Sequence, residues 1–363
     1  MEEIKKDIRV GVLTLPYDAN YGWILQHYAL LNSLNECGYN PISIQRKWNK
    51  QDNRSMIYHI KKWVYYNILT KNIYSFYKNN ITPKTEIYDT QESIKGLSKY
   101  KLDAVVVGSD QVWRTEFTSG VGDNYFLDFI DSKHTSKIAY AASFGIDEWK
   151  EGVEKTEKIK SLLEDFTYIS VRENTGIDLC KNHFNLEVES VIDPTLLLDK
   201  DQYNKLLVGT TECFKKPTLV TYILDYNKDK SDVVKQVSNK LNLKVFDLYP
   251  KKKRICNYYK SVKTWLRAYR DSDFVVTDSF HGTVFSIIYN KPFITIANKE
   301  RGLTRFTSLL NIVGLSSRLI FTLEDILDNN LITEEIDYSK VNSIVKKQQE
   351  KSLSLFHKYI KSK

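Results

Sequence analysis

Apolar residues along the chain gather into short unbroken runs, separated by segments in which they recur at helical spacing. That pattern predicts buried parallel strands alternating with covering helices. Ile8 to Leu15 is the first run, followed by a loop of Pro, Asp, Asn and Gly. Ile24, Leu25, Tyr28, Ala29, Leu31 and Leu34 then share one helical face up to Gly38, a residue suited to a helix C-terminus. Further strands are predicted at Pro41–Gln45, Asp103–Val107, Lys137–Ala141, Tyr168–Val171 and Glu187–Ile192. A second series begins at Pro217, with strands at Leu219–Leu224, Lys244–Leu248, Phe274–Thr277 and Phe293–Ala297, each followed by a helix candidate. The break between the series falls within Asp193–Phe214. With 363 residues the chain exceeds one hydrophobic core, so the reading is α/β with two domains, 1–200 and 201–335, and a basic helix over 336–363. Consecutive α/β domains imply a cleft at the carboxyl ends of their strands.

Composition supports a folded chain: 42% hydrophobic and 27% charged residues, with 14 Gly and 7 Pro, leave little room for long disordered linkers. No apolar run approaches the roughly 18 residues of a membrane span, and the N-terminus leads into a strand without a cleavable signal pattern, so a cytoplasmic location is expected. Cys37, Cys180, Cys213 and Cys256 lie far apart, without zinc or redox spacing, and read as reduced structural residues. The net charge of +8 is uneven. Residues 46–84 hold nine basic residues against Asp52, together with Trp48, Tyr58, Trp63, Tyr65, Tyr66, Tyr74, Phe76 and Tyr77. This segment is expected to leave the strand series as a helical excursion. No helix-turn-helix, zinc-knuckle or RNP signature accompanies it, so nucleic acid is not the expected partner. A membrane surface, or an anionic lipid-linked substrate, suits basic and aromatic residues; a solvated helical pair suits them equally.

The polar motifs fall at strand ends: DANYG (Asp18–Gly22), GSDQVW (Gly108–Trp113), SVREN (Ser170–Asn174) and DSFHGT (Asp278–Thr283). His281 stands out, because a strand-turn-helix reading puts it at a helix N-terminus with Ser279, Gly282 and Thr283. Free amides and the helix dipole favour an anion there, and imidazole adds a proton donor. A simple cap by Asp278 or Ser279, with His281 bonding locally, fits the spacing as well. Arg172 offers a planar fork to a carboxylate or phosphate, or closes a strand end with Glu173. Arg301 and Arg305, four apart, share a helical face whose simpler use is solvation. Asp193-Pro194 reads as a turn. Asp199-Lys200-Asp201 and Asp271-Ser272-Asp273 match a DxD metal motif, but both lie at element edges, and no metal site is expected. No G-x-G-x-x-G, phosphate loop, HExxH or nucleophile elbow occurs.

Taken in order, GVLTLPYDANYGWILQHYALLNSL, DAVVVGSDQVW, AASFG, SVREN, VIDPTLLL and VTDSFHGTVFSIIYNKPFI with RGLTRFTSLLNIVGL resemble the polysaccharide pyruvyl transferase family, from about residue 8 to residue 318. The resemblance implies two Rossmann-like domains facing across a cleft, as in GT-B glycosyltransferases, with the C-terminal helix packing back across both. It implies transfer from phosphoenolpyruvate, a co-substrate with no further cofactor, to hexose hydroxyls of a surface polysaccharide or its lipid-linked precursor, giving a pyruvate ketal. By the same likeness Arg172 and His281 are the catalytic pair. Arg172, Ser279, His281, Gly282, Thr283, Arg301 and Arg305 are assigned to the donor, and Asn20, Tyr21, Gly22, Ser109, Asp110 and Gln111 to the acceptor. Many members carry Arg-Leu-His where this chain has Ser279-Phe280-His281, a variant that also recurs within the wider family, and Lys299, Arg301 and Arg305 are the candidates to replace the missing cation. Arg172 and His281 are expected on opposite walls of the cleft with the donor bridging them, and the His281 pKa is expected to rise above its reference of about 6.5 beside that anion. A glycosyltransferase using a nucleotide sugar and a non-catalytic sugar-binding protein are the rival readings.

Overall fold

The structure is a computed structural model that describes residues 7–47, 56–118, 121–209, 218–249, 259–298, 302–328 and 330–361. Its first sheet comprises β1 (Arg9–Leu13), β2 (Asn40–Arg46), β3 (Lys84–Tyr88), β4 (Ala104–Val107), β5 (Ser136–Ala142), β6 (Tyr168–Val171) and β7 (Glu189–Ser190). These strands lie in the order β3-β2-β1-β4-β5-β6-β7, all parallel. The second sheet comprises β8 (Thr218–Tyr222), β9 (Lys244–Asp247), β10 (Phe274–Thr277), β11 (Phe293–Ile296) and β12 (Leu319–Ile320), again parallel, in the order β12-β11-β10-β8-β9. The chain is therefore α/β with two Rossmann-like sheets. Central strands such as β4 are buried along their whole length, which is why they read as unbroken apolar runs.

Each sheet reverses its strand order once, between β1 and β4 in the first and between β8 and β10 in the second. A crevice opens at the carboxyl ends of the strands at such a switch point, because the two flanking connections leave toward opposite faces. One apolar core runs between the sheets. It joins Val10 and Val12 of β1 and Ile24 and Leu25 of the helix Tyr21–Glu36 to Val220, Trp265, Phe285 and Phe356. Tyr21 of the first domain stacks on Trp265 of the second, with ring centroids 5.5 Å apart.

The C-terminal helix, Tyr338–Tyr359, does pack back across both domains. Its first residue donates from the Tyr338 hydroxyl to the Lys291 carbonyl at 2.5 Å. Farther along, Gln349 donates to the Leu196 carbonyl, Phe356 packs on Tyr140 at 4.8 Å, and Tyr359 stacks on Tyr168 at 4.4 Å. Between β2 and β3 the segment 46–84 forms the helix Met56–Val64, a π-helical turn at Tyr65–Leu69 and the helix Lys71–Asn80. Trp48 lies outside the described residues. Cys37 and Cys180 are free thiols, whereas Cys213 and Cys256 lie outside the described residues. No described helix is long and apolar enough to cross a membrane.

Candidate active site

Both switch points face one cleft of about 730 Å³. Its first wall comes from the loop after β1, with Tyr17, Asp18 and Asn20, and from the loop after β4, with Asp110, Gln111 and Arg114. The second comes from Leu224 and Asp225 after β8, from Ser279, Phe280 and His281 after β10, and from Arg305.

Capping shapes the first wall. Asn20 Oδ1 accepts from the amides of Gly22 and Trp23, which starts the helix Tyr21–Glu36 beneath the loop. Gly108 has φ +120°, and a Cβ there would overlap the Tyr140 carbonyl, so the chain turns tightly out of β4 only because the residue is glycine. Trp113 anchors the following turn in the core, donating from Nε1 to the Tyr125 carbonyl at 3.0 Å. Arg114, just beyond, extends along the cleft and pairs with Glu116 at 3.0 Å.

In the second domain Ser279 caps the helix Phe280–Ile288, its Oγ accepting from the Gly282 amide. Asp278 does not cap. Its carboxylate accepts from the Leu224 and Asp225 amides and from Lys230 Nζ at 2.6 Å, fastening the two switch-point loops together. A Cβ on Gly282 would overlap Thr277 Oγ1, so this glycine serves the packing of helix on strand rather than the approach of a ligand. Thr283 is buried and hydrogen-bonded to Thr295.

His281 and Arg172 converge on a single carboxylate, Asp193. Arg172 Nη1 donates to Asp193 Oδ2 at 2.9 Å, and His281 Nε2 lies 3.8 Å from the same oxygen. Thr195 donates to Asp193 Oδ1 from both its amide and its hydroxyl. Asp193 is thus the hub of the site and more than a turn. Burial opposes its ionisation, but the charges of His281 and Arg172 and the Thr195 bonds hold its carboxyl below the usual range.

Arg172 is buried and lies outside the cleft lining. Its guanidinium stacks on Phe280 at 5.0 Å, with Glu173 at 3.6 Å and Asp110 at 3.7 Å. Burial alone would lower its pKa; Asp193, Glu173 and Asp110 carry it upward instead. The expectation of two opposite walls therefore needs correcting. Arg172 and His281 meet across the domain boundary, and a side chain of the linker between the sheets sits between them. His281 also departs from expectation, because burial, which outweighs Asp193, lowers its pKa. Its Nε2 is buried without a hydrogen-bond partner among the described residues.

Gly22 is explained by the same histidine. A Cβ at this position would overlap the His281 ring, so glycine clears its seat and does not line the cleft. Tyr21 likewise turns away, donating to the Lys260 carbonyl at 2.7 Å, and Ser109 is buried against the Ala141 carbonyl at 2.9 Å. Arg305, for which solvation was the simpler expectation, is buried in the lining, and its pKa is lowered to about 10 by burial and by Arg172. Arg301 and Lys299 lie outside the described residues. Of the residues assigned from sequence, Asn20, Asp110, Gln111, Ser279, His281 and Arg305 line the cleft.

Sequence reasoning passed over Asp18, Arg114, Glu116, Asp225 and Phe280 in the lining. Asp18, Asp225 and Arg114 all follow strands that flank a switch point, and that position was the available signal. The lining contains the carboxylates of Asp18, Asp110, Glu116 and Asp225 against the guanidiniums of Arg114 and Arg305. The cleft is therefore of mixed charge, and Arg305 lies within reach of the Asp110 carboxylate. Burial, then the nearby Asp110, raises the Asp18 pKa.

Both DxD matches have structural uses. Asp199 closes a capping box on the helix Lys200–Lys205, Asp271 pairs with Arg270 at 2.7 Å, and Asp273 accepts from the Thr218 amide. Among the described residues, no three His, Cys, Asp or Glu side chains converge as metal ligands.

Comparison with known proteins places this geometry. A family model described as polysaccharide pyruvyl transferase matches residues 20–300. No curated protein sequence matches the chain. Among solved structures, UDP-N-acetylglucosamine 2-epimerase from Rickettsia bellii covers 98% of this chain and 97% of its own at 12% identity and a TM-score of 0.50. UDP-GlcNAc 2-epimerase from Neisseria meningitidis bound to UDP-GlcNAc covers 94% and 99% at 9% identity and 0.52. The enzyme of that name from Methanocaldococcus jannaschii covers 93% and 92% at 12% identity and 0.51. At these identities the likeness is one of fold, the GT-B arrangement of two facing Rossmann-like domains.

Proposed function

The chain belongs to the polysaccharide pyruvyl transferase family, and from that membership and the polar cleft lined by His281 and Arg305 we propose that it transfers the enolpyruvyl unit of phosphoenolpyruvate to two hydroxyls of a hexose. The acceptor is a bacterial surface polysaccharide or its lipid-linked precursor, reached by a cytoplasmic, peripheral enzyme, and the product is a pyruvate ketal.

The reaction balances without a redox step. The donor's methylene carbon takes a proton and becomes a methyl group while one sugar oxygen bonds the central carbon. A second sugar oxygen then bonds the same carbon as its bond to the phosphate oxygen breaks. One hydroxyl proton is accounted for in the methyl group, and the other leaves with inorganic phosphate. The residues required are an anion site, an acid and a base.

The observation that carries the reading is His281. Its Nε2 is buried without a hydrogen bond among the described residues, at a capped helix N-terminus beside Arg305, in the lining of the cleft. That corner suits the donor's phosphate or carboxylate. An arriving anion favours the imidazolium, so His281 gains its proton as the donor binds and serves as general acid. Asp18, whose pKa is raised, suits removal of a proton from an acceptor hydroxyl, while Asp110, Glu116 and Asp225 accept hydrogen bonds from the sugar. Arg172 acts one step back, by fixing Asp193 opposite His281.

Phosphate release from phosphoenolpyruvate, dependent on added acceptor, tests this. Turnover is expected to persist in EDTA. Consumption of a nucleotide sugar with phosphoenolpyruvate untouched would establish the glycosyltransferase reading instead, and binding of sugar without turnover of either donor would establish the sugar-binding one.

A further inference from the structure

The helix Met56–Val64 has no buried residue, although more than half of its side chains are apolar. Met56 is 79% exposed, Ile57 63%, Ile60 55% and Trp63 59%. At about 100° per residue, these four and Val64 fall within an arc of roughly 120°, a single apolar stripe. Lys61 flanks the stripe, about 40° beyond Ile57, Lys62 lies on the opposite side of the helix, and Lys71 and Lys78 of the next helix are exposed. From Met56 to Lys84 the chain contains five lysines and no acid. One turn beyond the stripe, Tyr66 lines the cleft and packs on Tyr17 at 5.8 Å, so the stripe adjoins the cleft mouth.

We propose that this helix is an interfacial anchor that seats the protein on an anionic bilayer. The stripe enters the boundary of headgroups and acyl chains, the lysines meet anionic headgroups, and the cleft opens toward the membrane plane. A second copy of this chain suits the stripe less well, since the segment from Met56 to Lys84 contains no acid to pair with Lys61 at the stripe's edge, whereas an anionic surface supplies one. Trp63 favours the interfacial layer, where its ring is apolar and its N–H remains wet. The proposal deepens the reading of a lipid-linked acceptor, but its test does not depend on turnover.

Co-sedimentation of the full chain with vesicles of phosphatidylcholine, with and without phosphatidylglycerol, measures it. Binding is expected to anionic vesicles only, and to weaken as salt rises. Each lysine near an anionic surface is worth roughly fivefold in binding, so Lys61→Glu with Lys62→Glu should weaken it at least about 25-fold. Ile60→Ser with Trp63→Ser should abolish it while the circular dichroism spectrum and turnover of a water-soluble acceptor stay as in the parent. Equal binding to neutral and anionic vesicles, no binding to either, or loss of a sedimenting dimer in the Ile60/Trp63 variant would overturn the proposal. Vesicle binding that survives with no pyruvyl transfer to any acceptor would leave the anchor standing and remove the proposed chemistry.

Discussion

His281 gathers most of the residue-scale consequences. Burial lowers its pKa and favours the neutral imidazole, so donor binding should draw in a proton. Calorimetric titration with phosphoenolpyruvate in buffers of differing ionisation enthalpy should show net uptake; release would contradict the assignment. His281→Ala should lower turnover on the order of 100-fold or more at saturating donor. Gly22→Ala should approach this without touching the cleft, since the added methyl displaces the imidazole and misplacement of about 1 Å can cost on the order of 100-fold. A folded Gly22→Ala protein with parental kcat would show that the ring has room. Arg172→Ala should act chiefly on stability. It strands Asp193, Glu173 and Asp110, and breaking such a buried pair costs about 3–5 kcal/mol, measurable by urea unfolding. A loss of donor affinity at unchanged stability would instead return Arg172 to direct contact with the donor. His281 was legible because a strand-turn-helix motif brings its own capping and dipole. Asp193 was not, since its meaning comes from Arg172 and His281, residues that only the packing of two domains brings to it.

Among the elements, central strands were readable because burial on both faces leaves unbroken apolar runs. Two of the four edge strands, β3 and β12, escaped notice. β3, KTEIY, alternates with solvent on one side, and β12 has two residues. The helix Tyr21–Glu36 carries a feature that its sequence gives no hint of, a histidine buried within the apolar face. His27 packs edge-on to Trp23 at 5.6 Å, and neither ring nitrogen is hydrogen-bonded among the described residues. Burial, then Lys84, lowers its pKa to about 3. Below about pH 6.5 the unfolded chain therefore takes up a proton that the folded chain refuses. Stability should fall with pH between about 6.5 and about 3, by up to about 1.4 kcal/mol per unit from this group. His27→Leu should flatten that part of the profile in thermal or urea unfolding; an unchanged slope would show that His27 titrates normally.

Over the whole molecule, the net charge of +8 and the character of the cleft are decoupled. The excess of lysine sits in the helical excursion and in the C-terminal helix, while the cleft lining contains more carboxylates than guanidiniums. Net charge thus bears on the surface the protein approaches, and in the proposed reaction the donor's anion is met locally by Arg305, His281 and a helix end. The C-terminal helix completes the architecture by bridging the domains. Phe356→Ala, which removes a buried ring from Tyr140, should cost about 3–5 kcal/mol in urea unfolding. The two-sheet plan could be read from the two series of strands, but the bridging helix was anticipated only through family resemblance, because its partners Tyr39, Tyr140 and Tyr168 lie far away in the chain. The central claim is the chemistry in the cleft, and the direct measurement is mass spectrometry of a hexose acceptor, free or lipid-linked, incubated with phosphoenolpyruvate and the protein. The expected result is a gain of one pyruvyl group per acceptor matched by one inorganic phosphate, lost in His281→Ala. An unmodified acceptor across the panel, with a nucleotide sugar consumed in place of phosphoenolpyruvate, would contradict it.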